Sequence, residues 1–325
     1  NSFKSIANYV TRNLSLLDRF NQFEIKDLFE TDVLPIIDEI NLSKLMYSIT
    51  NRTMDSDSII RIVEKRRTSA WYEDYRYFYE GIYQVALMNQ FYESHLNSFH
   101  HVEAKDMWNA YTSDYYQMDT HYRNFHIAFS TCLQTLHPSL DDSFKDLAVY
   151  VEKEYKNWYL DQLASNWNHV IESDLGSTGK ISGIAQQTDF YQDVVKNIDG
   201  KVFVIISDAM RYDVAYSLAK QLEIETKADV EISAQQSIYP TITKYGMAAL
   251  LPHKILEAVE NNGTTKVLVD GHSSEMSDRD GILKSYSENS LALKYKDVMS
   301  MKRDDRRAAV KGKDIIYIYH DTIDA

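Results

Sequence analysis

Across residues 1–172 the chain holds one glycine, Gly81, and two prolines, Pro35 and Pro138. So few interruptions leave no room for the tight turns a sheet requires, and the segment is predicted to run as helix after helix, packed as antiparallel hairpins. Within it Trp71, Tyr75, Phe78, Tyr79, Ile82 and Tyr83 recur at spacings that place their rings on one helix face. Such a face is either a core stripe or a platform for stacking nucleobases, a theme that Tyr111, Tyr115, Tyr116 and Tyr122 would continue. Stacking platforms come interleaved with Arg and Lys. Here Asp and Glu are interleaved, so core is the expectation. His121 and His126 stand at i, i+5, off a common helix face, and with His95, His100 and His101 are not expected to bind metal. N-caps are expected at Thr31 or Asp32 and at Asp141, Asp142 or Ser143.

A length of 325 residues exceeds what one core usually covers, which favours two domains. At residues 174–183 three glycines and three hydroxyl residues fall within ten positions, the composition of a linker or mobile loop. The expected organisation is an all-helical domain over 1–173, a linker over 174–185 and a second domain over 186–325. After a short helix at 186–198 and a turn at Asp199-Gly200, strands are predicted at 202–207, 230–238, 266–269 and 315–319. Helices are predicted between some of them at 212–222, 244–250 and 291–301. Apolar strands alternating with helices indicate a largely parallel sheet covered on both faces, so the class is α followed by α/β.

No apolar run of about 18 residues is present, which speaks against a membrane-spanning protein. The single cysteine, Cys132, makes neither an internal disulfide nor a thiolate metal site, and fits a reducing compartment. With no secretory leader in view, the chain reads as a cytoplasmic fragment of something longer. Its net charge of −13 opposes broad, sequence-independent clamping of DNA. Lys302, Arg303, Arg306, Arg307 and Lys311 gather positive charge locally and are expected to form a solvated helix face.

Ligands of open α/β sheets collect beyond the carboxyl ends of the strands, and three predicted strands discharge reactive groups there. Asp208 follows the first apolar run and precedes a helix, as a crevice carboxylate or as that helix's cap. Thr241 and Thr243 sit at the mouth of a small-residue helix stopped by Pro252, as nucleophiles facing a phosphate or as caps. The last strand ends in His320, Asp321 and Asp324. Oxygen donors mixed with imidazole suit a divalent metal that activates a hydroxyl. Arg211 is a candidate phosphate contact or a partner of Asp213 or Glu223.

Three ordered segments carry a resemblance: Ser207-Asp-Ala-Met-Arg-Tyr-Asp213 after an apolar strand, Tyr239-Pro-Thr-Ile-Thr-Lys-Tyr-Gly-Met-Ala-Ala-Leu-Leu-Pro252, and Tyr317-Ile-Tyr-His-Asp-Thr-Ile-Asp-Ala325. Over residues 186–325 the chain resembles the PglZ domain of bacteriophage-exclusion (BREX) defence systems, a relative of the alkaline phosphatases. The resemblance implies a metal-dependent phosphoric ester hydrolase, phosphatase or phosphodiesterase, with two divalent ions, zinc before manganese or magnesium. It implies Thr243 as the nucleophile that also touches metal, and Asp208 and Asp324 as metal ligands. Arg211 and His320 remain substrate contacts. It also implies other BREX subunits as partners, and DNA, a nucleotide phosphodiester or protein phosphate as substrate. The ligands that the superfamily supplies after Asp324 are absent, so the alkaline-phosphatase-like domain is expected to be incomplete and this fragment inactive. A catalytically inactive scaffold is the alternative.

Overall fold

A computed structural model describes residues 2–97, 99–135, 137–261 and 263–324. The chain divides into two compact units, Asn1–Val170 and Ile171–Ala325.

The first unit is helical: α1 (Ser2–Asn13), α2 (Leu16–Phe20), α3 (Ile25–Leu28), α4 (Pro35–Thr50), α5 (Ser56–Arg66), α6 (Tyr72–Ser94), α7 (Ala104–Ala110), α8 (Tyr116–Cys132) and α9 (Pro138–Lys153). Its centre is α6, packed on α5 and α8, while α4 packs on α9. Trp71, Tyr75, Phe78, Tyr79 and Ile82 are buried there, as their spacing predicts for a core stripe, while Tyr83 at its end is only half-buried. Gly81 allows the close approach of Phe144, whose ring would stand 2.6 Å from an added Cβ. One ion pair lies wholly inside: Arg66 grips Asp38 through Nε and Nη2 and donates from Nη1 to the carbonyls of Phe29 and Thr31. Tyr79 completes the shell by donating to Asp38 at 2.6 Å, so the buried charges are paired and hydrogen-bonded.

Two stretches, Tyr111–Tyr115 and Glu154–Leu160, wind as π-helix. Between them the hydroxyls of Tyr111, Tyr155 and Tyr159 converge on the buried carboxylate of Asp119. The tyrosines are therefore internal donors. His121 and His126 serve different partners, Gln84 and Glu152. Both helix starts differ from expectation. Helices α4 and α9 begin at Pro35 and Pro138, with Leu34 and His137 at the N-cap, because proline at the first position needs no hydrogen bond and already holds a helical φ.

Helix α10 (Asp161–Thr178) contains the division between the units. It overrides the expected linker as far as Thr178: Gly176 is absorbed at the modest cost of a helical glycine, and the chain breaks only at Gly179, with φ +69°. The helix expected over 186–198 is broken into 3-10 turns on either side of α11 (Phe190–Asp193).

The remainder comprises β1 (Val202–Ser207), α12 (Tyr212–Glu225), α13 (Thr243–Ala249), β2 (Leu256–Asn261), β3 (Thr264–Val269), β4 (His272–Ser273), α14 (Arg279–Tyr286), β5 (Ser290–Lys294), α15 (Tyr295–Ser300), α16 (Arg303–Ala309) and β6 (Ile315–His320). Strands β1, β6 and β5 form a parallel sheet in that order. Strands β2, β3 and β4 form a separate antiparallel sheet, so the stretch predicted at 266–269 belongs to a hairpin and not to the parallel sheet. One face of β1 and β6, with Val202, Val204, Tyr317 and Tyr319, packs on Met247 and Ala248 of α13, Val267 and Val269 of β3, and Ile282 and Leu283 of α14.

Two further expectations fail for tertiary reasons. Residues 230–238 alternate like a strand but make one isolated bridge. Gln236 is buried, exchanges main-chain bonds with Ala185 and Gln187, and meets the Ile181 N–H with its side chain. Residues 291–301 have helical propensity, yet their first part is β5, because pairing with β6 outweighs propensity. Helix α16, with its arginines, buries no residue, as expected of a solvated face.

Candidate active site

Strand β1 ends at Ser207 and the chain turns at once. The Asp208 N–H donates to the His320 carbonyl at 3.0 Å, extending the parallel ladder by one rung. Ala209 takes a φ of +60°, a left-handed conformation unusual for a residue with a side chain, and this sharp turn frees the strand end before α12 begins. Among the described residues the Asp208 carboxylate accepts only from the adjacent Ala209 N–H. The N-cap position of α12 belongs to Arg211, four residues beyond Ser207, so Asp208 does not cap that helix.

Arg211 donates from Nε to Asp213 at 3.0 Å. Asp213 is fully buried, and a carboxylate without water needs a cationic partner. Of the alternatives for Arg211, the pair with Asp213 forms, whereas Glu223 takes Lys220. Helix α13 begins at Thr243, after an extended Ile242 in the N-cap position whose side chain makes no cap bond. Ile242, not a threonine, holds the N-cap position, no hydrogen bond of the Thr241 or Thr243 hydroxyl is found among the described residues, and both are exposed. The far end of α13 is tied to the parallel sheet by Tyr317, which donates to the Leu250 carbonyl at 3.0 Å.

At the end of β6, His320 Nδ1 lies 2.8 Å from Ser207 Oγ, and Asp321 pairs with Lys296. Asp324 is exposed in the turn that follows. The backbone thus brings Asp208 and His320 side by side. Among the described residues no hydrogen bond or ion pair joins Thr243 or Asp324 to them.

Residues 189–325 match the model of the BREX system PglZ alkaline phosphatase-like domain. Over these residues the chain is similar to a PglZ domain. It is 34% identical over 328 residues to the alkaline phosphatase-like protein PglZ of Bacillus cereus (strain H3081.97), covering 99% of this chain and 37% of that protein. It is 32% identical over 311 residues to the alkaline phosphatase-like protein BrxZ of Escherichia coli O9:H4 (strain HS), covering 92% of this chain and 35% of that protein. The similarity therefore extends through the helical unit, and the chain spans little more than a third of the length of these curated relatives. No solved structure matches it.

An alkaline-phosphatase-like domain implies metal ions, and the donors here can be tested for fit. Among the described residues no three His, Cys, Asp or Glu side chains come together in a way that holds a metal. The donors among the described residues therefore do not by themselves make a metal cage. Two residues had no role assigned from the sequence. Ser207 was visible only as the residue before Asp208, and Tyr295 was hidden within a predicted helix; both touch His320. No helix is long and apolar enough to cross a membrane among the described residues.

Proposed function

We propose that this chain is the nucleophile-bearing part of a phosphoric ester hydrolase acting in a BREX anti-phage system. The observation that carries this reading is that neither the Asp208 carboxylate nor the Thr243 hydroxyl is consumed in capping a helix. Both groups stay available for chemistry, in a domain similar to alkaline phosphatases.

In this reading Thr243 Oγ1 forms a bond to phosphorus as the ester P–O bond breaks and the leaving alcohol takes up a proton. Water then cleaves the threonine–phosphoryl bond, restoring the hydroxyl and releasing the remaining phosphate monoester from a diester substrate, or phosphate from a monoester. Asp208, Asp324 and the Thr243 oxygen are the donors this chain would offer to divalent metal, zinc before manganese or magnesium, together with ligands from outside it. Such a cation would supply charge neutralisation to the phosphoryl group. His320 contacts the phosphate. Arg211, whose Nε donates to Asp213, is the further phosphate contact in this reading. The substrate is a nucleic-acid or nucleotide phosphodiester, and other BREX subunits are partners. The 325-residue chain by itself is inactive.

The test is hydrolysis of an aryl phosphate monoester and diester by the whole protein, with and without zinc, manganese and magnesium. Metal-dependent turnover, faster on the diester, is expected. A second reading, a scaffold that docks other defence subunits, is favoured by the failure of three metal donors to converge among the described residues. Absence of turnover on both esters with all three metals would establish it over the hydrolase.

A further inference from the structure

Ser207 and His320 are register partners in the parallel ladder, so their side chains leave the sheet on the same face. The 2.8 Å contact from Ser207 Oγ to His320 Nδ1 joins the last residues of β1 and β6, one position before Asp208. The ring of Tyr295, directly after β5, meets the imidazole edge-on, with centroids 4.6 Å apart and planes at 82°. The imidazole is thus held on one nitrogen by a hydroxyl and on one side by a ring. Its Nε2 has no hydrogen-bond partner among the described residues.

A neutral imidazole has one N–H and one lone pair, and the partner at one nitrogen decides which stands at the other. The Ser207 hydroxyl makes no other hydrogen bond among the described residues, so its proton has Nδ1 as the acceptor at hand. The geometry points to Ser207 as a positioning residue: its hydroxyl donates to His320 Nδ1, holds the Nε2–H tautomer and presents that N–H as a donor to an anionic phosphoryl oxygen at the strand ends. This rests on the reading of His320 as a phosphate contact. The opposite tautomer would turn a lone pair toward the anion and repel it. Tyr295 restricts rotation of the ring and so fixes the direction in which the N–H points.

The tautomer is read directly by long-range proton–nitrogen correlation on the chain labelled with 15N-histidine. The chain has ten histidines, and the His320 signal is the one lost in His320→Gln. Expected are the Nε2–H pattern in the wild type, mixed tautomers in Ser207→Ala and restoration in Ser207→Thr, which keeps the hydroxyl. An Nδ1–H pattern in the wild type, or an unchanged pattern in Ser207→Ala, would overturn the assignment. Should Ser207→Ala fail to fold, Tyr295→Leu gives a second reading, with the ring freed and the Nε2–H tautomer retained. In the whole protein, Ser207→Ala is expected to raise KM several-fold with little change in kcat, and to add nothing in a His320→Gln background. Additive losses would contradict action through His320. An inactive wild-type protein with the Nε2–H tautomer would count against the hydrolase and not against this positioning.

Discussion

The main-chain N–H of Asp208 donates to the main-chain oxygen of His320, so the backbone of two parallel strands, and not a side-chain bond, sets these two residues next to each other. The Asp208 carboxylate, bonded only to its neighbour's N–H among the described residues, is free of structural duty. Asp208→Asn is therefore expected to leave stability within about 0.5 kcal/mol of wild type while abolishing hydrolysis by the whole protein. Thermal unfolding and turnover, measured together, check this. A large loss of stability would show that the carboxylate supports the fold.

The Asp38–Arg66 pair behaves in the opposite way. Both residues are essentially inaccessible to water, so removing one partner strands a buried charge. Arg66→Met is expected to cost about 3–5 kcal/mol in urea unfolding, while adding Asp38→Leu recovers much of the loss.

Gly81 has a packing reason. An added Cβ would meet the Phe144 ring at 2.6 Å, and that ring is itself locked against Phe78, Phe125 and Phe129. Helix propensity would favour alanine by about 1 kcal/mol, but overpacking a closed aromatic cluster costs about 1–3 kcal/mol. Gly81→Ala is expected to be net destabilising in chemical denaturation, whereas Gly176→Ala, where nothing lies within 4 Å, is expected to stabilise.

Stability should also depend on pH through His121. Burial pushes its imidazole down to about 4, and its Nδ1 lies 2.9 Å from the side-chain oxygen of Gln84. An unfolded histidine takes its proton at about 6.5. The folded value is the lower one, so the unfolded chain protonates first as pH falls. The contribution is complete above pH about 6.5 and is lost through pH about 4, up to roughly 3 kcal/mol. Urea midpoints across this range should fall in the wild type and fall less in His121→Gln. Equal slopes would place the titrating group elsewhere.

The helical unit was legible in the sequence because the absence of breakers and the aromatic spacing at 71–82 report directly on local structure and burial. The strands at β1 and β6 were legible because each is a short, continuous apolar run that closes on polar groups, Asp208 in one and His320 in the other, but the expected cover on both faces is not met at β1, where Phe203 and Ile205 on the face away from the core are exposed. The segment at 291–301 was not, since Leu291, Ala292 and Leu293 fit a helix as well as a strand and only pairing with β6 decides between them. Residues 230–238 misled for the converse reason, an alternating pattern whose bonds, main-chain and side-chain at Gln236 and main-chain to the Gln187 side chain at Ile238, join it to residues 181–187 without making a strand. Of the candidate site, residue identities, the strand-end positions of Asp208 and His320 and the local pairing of Arg211 with Asp213 could be read, whereas the Ser207–His320 contact depends on a register between β1 and β6 that no local pattern records.

The central claim is that Thr243 is the nucleophile. Its most direct test is acid quenching of the whole protein during turnover of an aryl phosphate ester, followed by mass spectrometry of the peptide around residue 243, beside the Thr243→Ala variant. A phosphorylated Thr243 that disappears as substrate is exhausted, with no turnover in the variant, is the predicted result. Turnover that survives Thr243→Ala, or a phosphoryl group found on another residue, would contradict it.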